Sequence, residues 1–264
     1  MAWDEYALHA AGRDGVPRLR LYTWDRLTVS VGRAQQVERQ IDLAACGRLG
    51  IPIVRRITGG RAVLHGSDLT YSLAAPLAGP PGSAAPFDAA ARAGILGLYR
   101  ELSRVFVRFF ERLGLAPQVQ AHTGRQRAES ASPVCFATPS AFEILLGGRK
   151  IVGSAQRLLP GAFLQHGSIP LAPQEDILAR VFLDGAGVDM ARHMTDLTTA
   201  GTLREVTLGE LRTLLAECFA SVLGVELAPA TWSEADRSAV RRLAAAYTDL
   251  AGALPVPRAA AAVQ

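Results

Sequence analysis

Phe142-Glu143-Ile144-Leu145-Leu146-Gly147-Gly148-Arg149-Lys150-Ile151-Val152-Gly153-Ser154-Ala155-Gln156, followed by Ala162-Phe163-Leu164-Gln165-His166-Gly167-Ser168, reads as three strands of an antiparallel meander. Gly147-Gly148 between two apolar runs suits a two-residue primed hairpin turn, whose central residues need positive φ. That turn sets a register in which Lys150 pairs with Leu145 and Glu143 with Val152. Side chains alternate faces along a strand. Phe142, Ile144, Leu146 and Ile151 then form an apolar, core-facing set, and Glu143, Lys150, Val152 and Ser154 share the other face. The simplest expectation for Glu143 and Lys150 is a solvated cross-strand ion pair, which contributes little.

Working outward, Leu19–Tyr22 and Leu27–Val31 alternate like strands joined through Trp24-Asp25. Gln40–Gly50 reads as a short helix ended by glycine. Ile51–Ile57 is apolar and β-branched, as in a buried strand. Arg61–His65 and Asp68–Leu73 read as two more strands around Gly66-Ser67. Ala78–Ala85 is Pro/Gly-rich loop. Leu98, Leu102, Phe106, Phe109 and Leu113 recur at helical spacing, so Phe87–Leu113 is expected to be one helix capped by Gly114. A short strand near Val119 and a polar stretch, His122–Ser132, follow. Thr207-Leu208-Gly209-Glu210 is a capping box opening a helix to about Leu223, and Ser233-Glu234-Ala235-Asp236 opens another to about Leu250. The expected organisation is a catalytic domain over 1–200, a helical appendage over 201–253 and a disordered Pro/Ala tail over 254–264.

Of 264 residues, 27 are arginine, one is lysine and none is asparagine. Arginine has replaced lysine wherever charge alone matters, so the surviving Lys150 is a candidate for chemistry that a planar guanidinium cannot perform. A net charge of +4 is modest and dispersed. It fits attraction to an acidic protein better than a nucleic-acid stripe. No apolar run is long enough for a membrane span, and Met1–Glu5 lacks the features of a signal peptide. A cytoplasmic protein is expected. Cys46, Cys135 and Cys218 are too few and too widely spaced for a disulfide framework or a CxxC metal site.

Cys135 lies among prolines and small polar residues, Ser132 to Pro139, as a loop cysteine would. A nearby ammonium favours the thiolate, which is the nucleophile. Cys218 falls on the apolar stripe of Leu211, Leu214, Leu215 and Val222, and Cys46 follows Ala44-Ala45. Both read as packing. Thr58-Gly59-Gly60-Arg61-Ala62 sits at a strand end where backbone can approach a ligand, though it is not a GxxxxGK[ST] phosphate loop. His65 and His166 are possible acid–base groups, but a satisfied structural histidine is the commoner case.

Arg55-Arg56-Ile57-Thr58-Gly59-Gly60-Arg61-Ala62-Val63-Leu64-His65, then Asp68-Leu69-Thr70-Tyr71-Ser72, resembles the signature of the lipoate–protein ligase and octanoyltransferase superfamily. Gly148–Arg157 and Leu164–Ser168 resemble its second and third blocks. Tyr22-Thr23-Trp24 and Val29–Gln35 resemble its early strand pair. Cys135-Phe136-Ala137-Thr138-Pro139-Ser140-Ala141-Phe142-Glu143 is similar to the cysteine block of LipM-type octanoyltransferases. The resemblance covers most of residues 1–175. Members usually carry an extra strand before the segment matching Met1–Glu5, where this sequence begins.

The resemblance implies a class II synthetase-like (biotin-ligase-like) α/β fold, with a mixed, largely antiparallel sheet and flanking helices. It implies octanoyl transfer from acyl carrier protein to a lysine of a lipoyl-domain protein, such as glycine cleavage H protein or a 2-oxoacid dehydrogenase E2. Cys135 would carry the acyl group and Lys150 would lower its pKa. Arg56, Thr58, Gly59, Gly60, Arg61, Ala62, His65, Gly153, Ser154, Ala155, His166, Gly167 and Ser168 would line the substrate. No cofactor, metal, nucleic acid or membrane is implied. The alternatives are an ATP-dependent ligase, which would use ATP and Mg and make Cys135 incidental, a shuttle of octanoyl between lipoyl proteins, and a non-catalytic lipoyl-domain binder. The ligases usually have a third glycine where this chain has Arg61.

Overall fold

The computed structural model describes residues 1–79, 87–120, 142–183, 192–201, 206–247 and 249–250. Its central sheet has four antiparallel strands in the order β1-β5-β10-β9: β1 (Arg18–Tyr22), β5 (Asp68–Pro76), β10 (Ala162–Pro170) and β9 (Gly153–Leu159). A second sheet places β2 (Thr28–Val31) between β3 (Ile53–Arg55), which runs parallel to it, and β4 (Val63–His65). The third joins β6 (Pro117–Val119), β7 (Ile144–Leu146) and β8 (Arg149–Lys150).

The Gly147-Gly148 turn forms, with φ of 56° and 75°, and gives the expected pairing of Leu145 with Lys150. The strand after it does not run on to Gln156. It ends at Lys150, and the chain crosses through buried Ile151 and Val152 to start β9 in the central sheet. Other neighbours along the chain also part. β1 pairs with β5 while β2 pairs with β3 and β4, so the Trp24-Asp25 link joins two sheets. Gly66-Ser67 likewise carries the chain from β4 to β5 in another sheet. Gly66, at φ 139°, would put a Cβ 2.7 Å from the Leu27 side chain.

One face of the central sheet carries Leu69, Tyr71, Leu73, Phe163 and Ile169. These pack against the principal helix α4 (Gly94–Arg112) and a later helix, α6 (Leu208–Leu223). The helical stripe of α4 is read correctly: Leu98, Leu102, Phe106 and Phe109 are all buried. Its start is not. The stretch breaks at Gly94, in the left-handed region at φ 67°, into a short α3 (Asp88–Arg92) and α4. Both C-terminal capping boxes form, but the last helix, α7 (Glu234–Ala244), ends short of Leu250. Leu250 N–H instead donates to Ile53 O, and Asp249 accepts from Ile53 N–H, so the chain covers the edge at β3.

The other face of the sheet is covered by α1 (Ala2–Asp14), which the sequence reading omits. Its stripe is mostly alanine, too weak to register as hydrophobic periodicity. Small side chains let it lie close: Ala7, Leu8 and Ala11 pack on Ala74, Ala162 and Leu164. Trp3 and Tyr6 of α1 meet Trp232 at ring separations of 4.8 and 5.8 Å, which ties the C-terminal segment to this face. The short helices α2 (Leu43–Leu49) and α5 (Glu175–Val181) pack on the second sheet. Among the described residues no helix is long and apolar enough to cross a membrane, and no His/Cys/Asp/Glu cluster could hold a metal.

Candidate active site

Lys150 does not sit on a solvated face. Its side chain and that of Glu143 are each 6% exposed, and the two form a hydrogen-bonded ion pair. Tyr99, Ser103 and Phe106 of α4 line, with Glu143, Lys150 and Ser154, a cleft of about 350 Å³ including its open mouth. The two expected faces do not separate: Ile144, read as core-facing, lines the same cavity as Lys150, and Val152 joins Ile144, Leu146 and Ile151 in the core packed on α4. A buried charge needs an opposite charge to offset lost hydration, and Glu143 supplies one. The core-facing set is correct for Ile144, Leu146 and Ile151, while Phe142 is half-buried at φ 64° and lines this cavity.

The glycine segment is built around Arg56, which is 4% exposed. Its Nε donates to Thr58 Oγ1 at 3.2 Å, and Nη1 donates to Ser30 O and Oγ at 3.0 and 3.2 Å. Nη2 donates to the carbonyls of Gly59 and Arg61 at 2.9 and 2.6 Å. Every guanidinium nitrogen is therefore engaged in holding the loop. Gly32 completes the fit, since a Cβ there would lie 2.0 Å from Gly60 O. Ala62 is buried in the core of the second sheet, and Gly60 lies beside the Ala155 side chain.

Two chains of carboxylate, imidazole and hydroxyl converge on this arginine. In the first, Asp4 Oδ2 lies 3.0 Å from His166 Nδ1, and His166 Nε2 lies 2.7 Å from Thr58 Oγ1. In the second, Asp68 Oδ2 lies 2.8 Å from His65 Nδ1, and His65 Nε2 lies 2.8 Å from Ser30 Oγ. Burial pulls the His166 pKa below its ordinary value, against the opposing pull of Asp4, so the ring is neutral. Its Nδ1 then carries the hydrogen toward the carboxylate. Thr58, whose oxygen accepts from Arg56, turns its hydroxyl hydrogen to Nε2. Burial would raise the Asp4 pKa, but the hydrogen bond from His166 and the charge of Arg20 hold it far below the carboxylate range. Arg20 Nη1 donates to Asp4 Oδ1 at 2.6 Å. Asp68 is likewise held low despite burial, by His65 and by donation from Gly66 N–H and the Ser168 hydroxyl. Both histidines are buried members of networks, as the commoner expectation has it.

Opposed residues in an antiparallel sheet share a face. Gly153 and Ser168 thus join Thr70 and Tyr22 on the α1 side, and Ala155 joins His166 there. Ser154, Gly167 and Tyr71 face α4. Gly167 is required by packing, since a Cβ would lie 2.3 Å from Gly153 O and 2.6 Å from the Tyr71 ring. Tyr71 Oη shares a 2.7 Å hydrogen bond with Ser154 Oγ and accepts one from Gln165. A second cavity, also about 350 Å³, brings together Arg56, His65, Gly153, Ser154, Ala155, His166, Gly167 and Ser168. Thr58, Gly59, Gly60, Arg61 and Ala62 do not line it, and of these Thr58, Gly59 and Arg61 are hydrogen-bonded to Arg56, which does. Lys150 belongs to the first cavity, and Ser154 lines both.

Cys135 lies outside the described residues. Cys46 and Cys218 are buried, as expected of packing. Burial pushes the Cys46 thiol up to about 11 and raises that of Cys218. The sequence reading overlooks Asp4, Ser30 and Asp68 as parts of the site. His65-x-x-Asp68 is a short-range signal that could have found one of them. Asp4 is 162 positions from its histidine partner, and no local spacing reveals it.

Residues 1–220 match the family model of the lipoyl protein ligase A/B catalytic domain. The chain is 32% identical over 265 residues to the octanoyltransferase LipM of Moorella thermoacetica, covering 94% of this chain and 90% of that protein. It is 36% identical over 260 residues to the LipM of Kyrpidia tusciae, with the same coverage of 94% and 90%. Among solved structures, it shares the fold of the bi-partite lipoate protein ligase of Thermoplasma acidophilum. The TM-score there is 0.71 at 22% identity, over 92% of this chain and 85% of that one.

Fold, site and relatives together define an enzyme, an acyltransferase of protein lipoylation. The matched region takes in Lys150, the Arg56 loop and both histidine chains. The chain belongs to the lipoyl protein ligase A/B catalytic domain family.

Proposed function

We propose that the enzyme moves an octanoyl group from acyl carrier protein to a lysine of a lipoyl domain, through a thioester on Cys135. The observation that carries the reading is the buried Lys150 ammonium lining a part-apolar cavity, in a chain whose relatives are octanoyltransferases. The Cys135 thiolate, favoured by that ammonium, adds to the carbonyl of the octanoyl thioester. The tetrahedral intermediate collapses, the carrier's thiolate leaves and takes a proton, and octanoyl stays on Cys135. The neutral amine of the acceptor lysine then adds to the new thioester. Collapse expels the Cys135 thiolate, and loss of a proton leaves the amide. Both steps exchange acyl groups at the thioester level or downhill to an amide, so no nucleotide is consumed.

The developing oxyanion needs positioned donors. Lys150 is one candidate. Others are backbone N–H groups of β9, an edge strand whose alternate N–H groups point away from β10. Phe106, Phe142, Ile144 and Val152 give the cavity beside Lys150 apolar walls suited to an alkyl chain. Acceptors of the H-protein or E2 type are the expected partners.

Intact-mass measurement after mixing with octanoyl-acyl carrier protein tests the proposal. Gain of one octanoyl group, mapped to Cys135 and lost in Cys135→Ala, is the expected result. Full transfer activity in Cys135→Ala refutes the acyl-enzyme. Release of pyrophosphate from ATP and free lipoate, without acylation of Cys135, points to ligase chemistry instead.

A further inference from the structure

We propose that a third cavity, beside Arg149, holds the phosphopantetheine-type arm of the thioester donor, a chain of amides ending in a phosphate. The inference rests on the octanoyl-transfer reading above. Arg149 and Lys150 are consecutive on β8, so their side chains point to opposite sides. Lys150 enters the first cavity, and Arg149 lines this other one, a cleft of about 570 Å³ including its open mouth, with Ser168, Gln174, Met194 and Thr195.

Two of its lining groups are electrostatically incomplete. Gln174 Oε1 is buried and accepts no hydrogen bond. Arg149 is half-buried, and its guanidinium has no hydrogen-bond or ion-pair partner among the described residues. A buried acceptor calls for an N–H or O–H donor. A guanidinium in a partly closed site calls for an oxyanion, which it can take in a bidentate fork. Of the two carboxylates at the cavity, Asp196 is already committed to Thr199, accepting from its N–H at 2.8 Å and its hydroxyl at 2.7 Å. The other, Glu175, is exposed. A ligand with both an oxyanion and amide donors satisfies the site, and neither an alkyl chain nor a free carboxylate does.

The cavity also lies where an arm would have to run. Ser168 lines it and the histidine cavity, and Ser154 lines the histidine cavity and the Lys150 cavity. Gly153 pairs with Ser168 and Ser154 with Gly167, so all three spaces adjoin this one stretch of the β9–β10 ladder. An arm anchored by its phosphate at Arg149 and by an amide at Gln174 leads its thioester toward that stretch, with the acyl chain beyond it beside Lys150.

The test titrates 4′-phosphopantetheine, pantetheine and ATP into the full chain by calorimetry. It also measures kcat/KM with octanoyl-acyl carrier protein and with octanoyl-pantetheine. Arg149→Gln should weaken phosphopantetheine about tenfold or more, the effect of one charge-assisted interaction, and leave pantetheine unchanged. Gln174→Leu should weaken both, and kcat/KM should follow the same pattern. Thermal melts confirm that each variant folds, and Arg149→Lys, which keeps the charge, should recover part of the phosphate effect. Wild-type transfer that neither variant alters overturns this site and leaves the octanoyl-transfer reading standing. Binding of the arm without any octanoyl transfer keeps the site and rejects that reading. Tighter binding of ATP than of phosphopantetheine, lost in Arg149→Gln, assigns the cavity to a nucleotide and overturns the proposal.

Discussion

Replacing Lys150 by methionine perturbs folding and chemistry together, and the structure offers a way to separate them. Lys150 and Glu143 are each 6% exposed at the side chain and are ion-paired. Removing the ammonium leaves a buried carboxylate without that partner. Breaking a buried pair from one side costs about 3–5 kcal/mol. At roughly 2–4 °C per kcal/mol for a chain of this size, Lys150→Met should lower Tm by about 6–20 °C. Replacing both partners with apolar residues of similar shape is often neutral or stabilising, so Lys150→Met combined with Glu143→Leu should recover most of that loss. Activity should not return, because a chemical role for the ammonium has no apolar substitute. Thermal melts of wild type, both single variants and the double variant give the coupling energy, and octanoyl transfer is assayed on the same four proteins. A single variant as stable as wild type refutes the buried-pair argument. A double variant that regains activity with its stability refutes the catalytic role of Lys150 and leaves it a structural residue.

Gly167→Ala should destabilise the chain, since its Cβ would meet Gly153 O at 2.3 Å and the Tyr71 ring at 2.6 Å. Overpacking of this kind costs about 1–3 kcal/mol, read as a lower Tm, and an unchanged Tm would mean that β9 moves freely. Acidification should weaken the fold through His166. Its folded pKa lies below the ordinary 6.5, so the unfolded chain binds the proton more readily, and stability falls as pH drops through that value. Asp4 adds a loss of the same sign once pH falls below its ordinary 3.8. Melts from pH 7 to 5 should show a smaller slope in His166→Gln than in wild type, and equal slopes would exclude His166 as the source. Native protein treated with iodoacetamide should label Cys135 and spare Cys46 and Cys218, whose thiols burial keeps protonated. Labelling of Cys46 as fast as Cys135, read by peptide mass, would contradict that.

What was legible in the sequence was local. The Gly147-Gly148 turn and its register, the two capping boxes and the α4 stripe each depend on residues within a few positions, and each formed as read. What could not be read was which strands share a sheet. Val29–Val31 and Ile51–Ile57 show the same apolar pattern whichever neighbour they join, and a crossing such as Ile151-Val152 looks like continuing strand. That ambiguity made Lys150 look solvated, because burial of its face depends on α4, about fifty positions earlier in the chain. The alanine stripe of α1 hid the helix that brings Asp4 to His166. Both errors came from contacts made across the fold, which local spacing does not reveal.

Placing the cations argues for thioester exchange over nucleotide activation. A ligase must hold the phosphates of a bound nucleotide, which calls for cations with donors to give. In the histidine cavity the guanidinium of Arg56 spends all three nitrogens on Ser30, Thr58, Gly59 and Arg61. Turning it toward a phosphate would release the loop and strip donors from both hydroxyl–imidazole chains. In the cavity above β8 the ammonium of Lys150 already faces Glu143, which offsets its charge and leaves less of it for a polyphosphate. The proposed cysteine mechanism asks less of that ammonium, since only one negative charge, on sulfur or on a transient oxyanion, is present at a time. Arg149 is the lining cation with no partner among the described residues, and one guanidinium matches the single phosphate of a carrier arm. Charge therefore matches what a thioester donor brings, one terminal phosphate and a neutral reacting carbonyl. It does so with Arg56 left in its loop and Lys150 left beside Glu143.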